Sequence, residues 1–121
     1  MPALAEIGKF RRLAELFVLA MKVDMVISAD QNRMAVASLM EYGLTERQAE
    51  SFLNSGFEKL DRGLIRSPAQ TLEALSVAFR PRDHAYILGQ IQAILELKDI
   101  SDKVQKFFDL CCTYLYHEEY Y

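Results

Sequence analysis

Hydrophobic residues recur at three- and four-residue steps along most of the chain, which is the period of an amphipathic α-helix. The first predicted helix runs from Ala3 to Val23, with Glu6, Lys9 and Arg12 on its polar face. From Leu16 to Met21, six apolar residues follow one another without a break. Because a helix that is apolar on every side is buried on most sides, we predict that this half of the first helix forms the centre of the core.

A hinge follows the first helix. The segment Asp24-Met25-Val26-Ile27 is rich in apolar residues and has no helical polar face, so we predict an irregular loop whose apolar side chains tuck inward. Ser28 and Gln31 have the spacing of a capping box, in which each side chain satisfies a backbone N–H of the other. A second helix is therefore predicted from Ala29 to about Tyr42, with Gly43 as the left-handed residue that ends it.

Two further N-cap signals predict a third and a fourth helix in the middle of the chain. Thr45, with a glutamine three residues later, opens a third helix that ends at residues 61–63 and has a potential break at Ser55-Gly56. Ser67 opens a fourth helix in the same way. Pro68 follows it at the first helical position, where the missing N–H of proline costs nothing.

The last part of the chain repeats the helix–hinge–helix pattern. Pro81 disfavours helical geometry at the residue before it, so a fifth helix is predicted from Arg82 to about Leu97. Lys98-Asp99-Ile100 then forms a second hinge, and Ser101 or Asp102 caps a sixth helix.

The sum of these elements is an all-α fold. We predict one domain over residues 1–121, a compact bundle of six to seven short helices whose last residues, 116–121, fray. A length of 121 residues suits one domain with a core of its own, and the scarcity of glycine (5) and proline (3) favours helix.

The cysteines and the chain's beginning predict a cytoplasmic protein. Cys111 and Cys112 are adjacent in a predicted helix, where they cannot easily reach disulfide geometry, and unpaired cysteines are typical of a reducing compartment. The first residues lack the pattern of a signal peptide. The apolar run from Leu13 to Met21 is too short to cross a bilayer, so we expect no direct membrane insertion.

Asp24 and Asp30 are the candidate metal ligands, because carboxylate oxygens suit a hard cation such as Ca²⁺. An EF-hand is excluded. Counted from Asp24, its obligatory glycine and glutamate positions hold Ala29 and Ala35. Another Ca²⁺ geometry stays open. The simpler interpretation is that Asp24 follows one helix and Asp30 faces the favourable dipole at the start of the next.

Catalytic chemistry has little support in the sequence. His84 has only Asp83 near it, and the two glutamates after His117 diverge from it on a helix, so a zinc site is not expected. The sequence contains neither a glycine-rich phosphate loop nor a nucleophile motif. We therefore expect a protein that is not an enzyme, with no catalytic residues and no resident cofactor.

DNA binding is an alternative with weaker support. Helices two and three are joined by Tyr42-Gly43-Leu44 in the manner of a helix-turn-helix connector. The third helix would be the recognition helix, but Glu46 and Glu50 near its start would repel phosphates, and the arginines are scattered along the sequence. The net charge of −3 also argues against a nucleic-acid partner.

A protein partner is the remaining possibility, either another chain or a second copy in a homodimer. Tyrosine is favoured at interfaces because it is both apolar and hydrogen-bonding, and four of the six tyrosines lie in the last eight residues. Three of the five methionines, between Met21 and Met34, offer an adaptable apolar surface, although such methionines are more often core residues.

A pattern of apolar, acidic and capping residues covers the first helix, the hinge and the second helix: Leu16-Phe17-Val18-Leu19-Ala20-Met21-Lys22-Val23-Asp24, Ile27-Ser28-Ala29-Asp30-Gln31, Leu39 and Gly43-Leu44-Thr45. In this pattern the chain resembles the tellurite-resistance TerB-like family of small all-helical proteins. The resemblance covers most of the chain in helix order and is specific between about Leu16 and Thr45. It implies a scaffold or interaction role, linked in some relatives to stress response or membrane-associated complexes.

The departures from the family pattern concern its metal. Members that bind Ca²⁺ use acidic residues around the hinges, and only Asp24 carries over directly, with Asp30 as a substitute. The family's hinge glycine is Met25 here, an expected acidic position is Gln31, and the second hinge lacks the Asp-Gly pair. The sequence therefore predicts a non-enzymatic interaction or scaffold module with a degenerate metal hinge. Ca²⁺ binding and weak DNA binding through helix three are its alternatives.

Overall fold

Six helices form the regular structure of the described part of the chain, which confirms the predicted all-α bundle. The computed structural model describes residues 4–65 and 67–118, and these contain no strand. The helices are α1 (Leu4–Lys22), α2 (Ala29–Met40), α3 (Glu46–Asp61), α4 (Pro68–Ala78), α5 (Pro81–Leu95) and α6 (Asp102–Leu115). No helix in these two ranges has the length and apolar character needed to cross a membrane.

The second half of α1 is the centre of the core, as its all-round apolar character predicts. Every residue from Leu13 to Met21 is buried, including the charged Glu15. Helices α2, α3, α4 and α5 all pack against α1. Since so many neighbours cover one helix, the polar stripe that an amphipathic helix turns to solvent is lost in this half.

Four helices begin at the predicted capping residues. In each, a hydroxyl oxygen accepts a hydrogen bond from a backbone N–H three residues later, which satisfies a donor that the helix leaves unpaired. At Thr45 the box is complete, because the side chain of Gln48 returns a bond to the Thr45 N–H at 2.9 Å. The four caps are Ser28, Thr45, Ser67 and Ser101.

The capping box predicted at Ser28 is only half formed. The Ser28 hydroxyl accepts from the Gln31 N–H at 3.0 Å, but the Gln31 side chain points elsewhere. Its amide nitrogen donates to the carbonyl oxygen of Ile94 at 3.0 Å, which ties the start of α2 to the end of α5. A carboxylate at position 31 has no proton to donate to a carbonyl, so the amide makes this tie possible.

The predicted break at Ser55-Gly56 is wrong, because α3 continues through it. Gly56 is buried against α1, and a Cβ atom at this position would lie 2.9 Å from Cγ2 of Val18. The glycine therefore allows a close approach of two helices and does not interrupt either one. Gly43 has the predicted left-handed conformation, with φ of +92°, although α2 ends at Met40, two residues before the expected position.

Candidate functional site

The two hinges lie side by side. The first hinge comprises residues 23–28 and the second comprises residues 96–101. The ammonium group of Lys98 donates a hydrogen bond to Oδ1 of Asp24 at 2.8 Å and another to the carbonyl oxygen of Val26. Together with the bond from Gln31 to Ile94, these contacts join the α1–α2 connection to the α5–α6 connection.

Most apolar side chains of the hinges face solvent, and only Val23, directly after α1, packs against the core among the described hinge residues. The prediction that the apolar side chains of Asp24-Met25-Val26-Ile27 tuck inward is wrong, since Met25 is 79% exposed, and Val26 and Ile27 are also exposed. The interior position is already filled by the second half of α1, so residues 25–27 have no core to enter. We call the exposed apolar residues of both hinges the hinge surface: Met25, Val26, Ile27, Leu97 and Ile100.

A shallow groove continues the hinge surface between α5 and α6. Ile100 belongs to the second hinge and also lines this groove. Leu95, Val104 and Phe108 supply further apolar walls, and polar residues stand at its rim. An exposed apolar patch that runs into a groove with a polar rim is typical of a protein-binding site.

Asp24 is committed to bonds within the protein. Besides the Lys98 ammonium, its Oδ1 accepts a hydrogen bond from the backbone N–H of Val26 at 3.2 Å. The hydrogen bond from Lys98 is the main cause that lowers the pKa of the Asp24 carboxyl group. A metal ion would have to compete with the Lys98 ammonium for the Asp24 carboxylate.

Asp30, the second predicted metal ligand, forms an ion pair with Arg33 one turn later in α2. Both side chains are largely exposed. In the described ranges, no group of three or more His, Cys, Asp or Glu side chains is arranged to hold a metal ion. Asp24 and Asp30 thus each have a cationic side chain as partner, and the two partners come from different elements.

The backbone of the first hinge is unusual at Met25. Its φ of +67° is a left-handed conformation, which L-residues other than glycine, asparagine and aspartate rarely adopt. This is the position at which the resemblance places the family's glycine. A backbone bond from the Met25 N–H to the carbonyl oxygen of Lys22, at 3.0 Å, closes the tight turn after α1.

Two histidines that the sequence keeps apart meet in the structure. His84 is buried in the first turns of α5, with Nε2 2.9 Å from the carbonyl oxygen of Phe79. Since a carbonyl accepts only, Nε2 donates this bond. Nδ1 of His84 and Nε2 of His117 lie 2.8 Å apart, within hydrogen-bond distance. The pair holds the segment after α6 against α5, within the tail that we expected to fray; residues 119–121 lie outside the described ranges.

The tyrosines divide between two places. Tyr42 is partly buried and donates to Oε1 of Gln90 at 2.7 Å, while Tyr86 bonds Glu41. Near the end of α6, Tyr114 packs against the core, and Tyr116, just after the helix, is half exposed. Tyr120 and Tyr121 lie outside the described residues, so the predicted tyrosine-rich tail surface stays a prediction.

The solvent face of α3 carries mixed charge. Arg47 lines this face together with Glu50 and Glu58, and Glu46 lies in the first turn. A phosphate backbone attracts uniform positive charge, so this face has the wrong charge for the recognition helix of the DNA-binding alternative.

Sequence reasoning missed Lys98 as a partner of the first hinge. The residue is separated from Asp24 by 74 positions, and no local spacing connects them. In comparisons with known proteins, the chain matches no family model, no curated protein and no solved structure.

Proposed function

We propose that this chain is a non-enzymatic, TerB-like helical interaction module that binds a protein partner, or a second copy of itself, through the hinge surface. The observation that carries the proposal is the set of five apolar side chains, 41% to 79% exposed, on two loops that Lys98 holds together. Burying such residues against a partner releases water from apolar area, which drives association. A role in stress response rests on the resemblance alone.

Each hinge is well suited to present these side chains rigidly. Both end in an isoleucine followed by a capping serine, Ile27-Ser28 and Ile100-Ser101, so each loop is anchored by the first turn of the helix after it. The bonds from Lys98 add a connection between the loops. A preorganised surface loses less conformational entropy on binding than a mobile one.

We also propose that the first hinge is a degenerate metal site, which no longer binds a metal ion. We infer that the Lys98 ammonium replaces a bound cation as the partner of Asp24. Titration of Ca²⁺ into chelator-treated protein, followed by calorimetry, should then give no binding heat. Saturable heat that disappears in Asp24→Asn would instead support the Ca²⁺-binding alternative.

The hinge surface is tested by removing its apolar groups without touching the core. In the variant Val26→Ser/Ile100→Ser, we expect loss of bound partners in crosslinking and affinity capture from the native cell, and loss of any self-association seen by sedimentation. The matched control is Leu64→Ser/Val77→Ser, because Leu64 is 64% and Val77 83% exposed and neither belongs to the hinges.

Circular dichroism should show equal helix content in both variants, since all four residues are exposed. If the hinge variant retains the same partners and the same oligomeric state as the control, the hinge surface is not the binding site and the proposal fails.

A further inference from the structure

A second surface, chemically opposite to the hinge surface, lies along the outer side of α1. Here Lys9, Arg11 and Arg12 of α1 and Lys59 of α3 line one groove. The fold thus brings one lysine of α3 to three basic residues that are already close together in α1. Small residues of α1 and α4 complete the lining: Gly8, Ala74 and Ala78. We call these seven residues the basic groove.

The charge of the basic groove is opposite to that of the chain. Among the described residues that line it, four are basic and none is acidic, whereas the whole chain has a net charge of −3. The adjoining cleft adds one carboxylate, the buried Glu15, which is bonded by Arg12 at 3.1 Å and by Lys59 at 3.0 Å. This carboxylate is thus shared between Arg12 and Lys59.

Aromatic rings hold the two other cations in place. The Lys9 ammonium lies 5.1 Å from the centre of the Phe79 ring, and the Arg11 guanidinium lies 6.0 Å from that of Phe52. These are cation–π distances, which favour one position of a long flexible side chain over many. The basic groove is therefore ordered before any partner arrives, and this lowers the entropic cost of binding.

We propose that the basic groove binds an acidic peptide segment of a partner protein. Opposite charges steer such a segment to the groove, and arginine pairs with carboxylates through two parallel hydrogen bonds. The small residues at Gly8, Ala74 and Ala78 leave room for the backbone of a peptide; a Cβ atom built at Gly8 meets no atom within 4 Å.

Nucleic acid fits the basic groove less well. Proteins that bind nucleic acid place a row of cations along the phosphate backbone. Those whose affinity depends strongly on salt neutralise many phosphates at once. Here four cations are clustered in one groove, two of them already bonded to Glu15, and the rest of the molecule is net acidic. A long polyanion would extend beyond the groove and be repelled by the net acidic rest of the molecule. A short acidic peptide segment fits within the groove and does not extend that far.

The test uses fluorescence anisotropy of a fluorescein-labelled peptide of alternating Glu and Asp residues. The full chain should bind it at low salt, with affinity falling as salt rises. In Lys9→Glu/Arg11→Glu, affinity should fall by about tenfold or more, as expected for two reversed charge contacts. The control Lys103→Glu/Lys106→Glu changes the net charge equally on the exposed side of α6 and should leave affinity within about twofold.

A second variant guards against a folding defect. Lys9→Met/Arg11→Met keeps unbranched side chains with good helix propensity and removes the charges without reversing them, so it should fold normally and still lose affinity. The inference is overturned if the full chain does not bind the peptide, if the α6 control loses as much affinity as the groove variant, or if an oligonucleotide of equal charge binds more tightly than the peptide.

The outcome is independent of the hinge surface. The variant Val26→Ser/Ile100→Ser should bind the acidic peptide like the unaltered chain, since neither residue lines the basic groove. Peptide binding that persists while native partners are lost separates the two surfaces. Equal loss of peptide binding in the hinge variant counts against the basic groove as its site.

Discussion

Met25 combines backbone strain with full exposure of its side chain. A left-handed conformation costs an ordinary L-residue about 1–2 kcal/mol, and glycine adopts it freely. The residue is 79% exposed, so its side chain recovers little of this cost by packing within the chain. A contact of the thioether with a partner, as we propose for the hinge surface, would offset this cost.

We expect Met25→Gly to raise the free energy of unfolding by about 0.5–1 kcal/mol, because relief of strain outweighs the added entropy of the unfolded chain. Urea denaturation followed by circular dichroism measures it. Met25→Ala keeps the Cβ atom and the strain and should stay within about 0.5 kcal/mol of the original. A glycine variant less stable than the alanine variant contradicts the strain argument.

The adjacent cysteines should differ in reactivity. Burial raises the pKa of the Cys111 thiol to about 12, so it forms almost no thiolate at pH 8 and is also out of reach of reagents. Cys112 is partly exposed, and its pKa is raised less. A thiol-specific chromogenic reagent should therefore label Cys112 in the folded chain and both cysteines in urea.

Single-cysteine variants assign the labelled thiol. Labelling of the folded chain should disappear in Cys112→Ser and persist in Cys111→Ser. Rapid labelling of Cys111 in folded Cys112→Ser would mean that the core around α6 opens readily in solution.

At the scale of elements, helix starts were predictable from local sequence and the relations between helices were not. A cap such as Ser28 or Thr45 acts within four residues, so its signal is contiguous. The link from Lys98 to the first hinge joins positions 74 residues apart, and the outward direction of the hinge residues depends on what already fills the core. The candidate metal ligands were visible as residue types, but their cationic partners depend on the fold.

Gly56 is another residue whose role depends on a contact between two helices that local sequence does not reveal. In a helix, alanine is favoured over glycine by about 1 kcal/mol, yet here a Cβ atom would meet Cγ2 of Val18 at 2.9 Å. Valine is stiff at χ1, so the helices must shift, and overpacking costs about 1–3 kcal/mol. We expect Gly56→Ala to lower the free energy of unfolding by about 1 kcal/mol in urea denaturation.

The chain contains a matched control for this substitution. Gly89 lies inside α5 with no atom within 4 Å of an added Cβ, so Gly89→Ala should stabilise the protein by about 1 kcal/mol. Val18→Ala should cost less in the Gly56→Ala background than alone, because it removes the clashing methyl group. Two glycine variants of equal stability would show that α1 and α3 are not in close contact at Gly56.

At the scale of the whole molecule, two weakly acidic side chains, the partly buried Tyr42 and the buried Cys111, predict how stability depends on pH. Burial raises the pKa of Tyr42 well above its usual value of 10.0, and burial raises that of Cys111 to about 12. Both groups are neutral when protonated, and the unfolded chain releases their protons at lower pH than the folded chain. The raised pKa values of these two groups therefore contribute fully to the stability of the folded chain below pH 9. This contribution is lost as the pH rises from 9 towards 12.

Tyr42→Phe isolates the tyrosine part of this dependence. At pH 8 the substitution leaves Oε1 of Gln90 without its 2.7 Å hydrogen bond and should cost about 1–2 kcal/mol. At pH 11, ionisation of Tyr42 in the unfolded state has lowered the free energy of unfolding of the unaltered chain by about 1.4 kcal/mol, and the phenylalanine variant has no such loss. The stability advantage of the unaltered chain over Tyr42→Phe should therefore be smaller at pH 11 than at pH 8, by about that amount.

A destabilising substitution that does not titrate provides the comparison. Val36→Ala removes buried methyl groups from α2, and its cost should be the same at pH 8 and pH 11. Contributions of other groups to the pH dependence are common to all three proteins and cancel in the differences. A Tyr42→Phe deficit that is as constant with pH as that of Val36→Ala would mean that the Tyr42 hydroxyl ionises as easily in the folded chain as in the unfolded one. The ring cluster of Phe10, Tyr42 and Phe79 would then have to admit water.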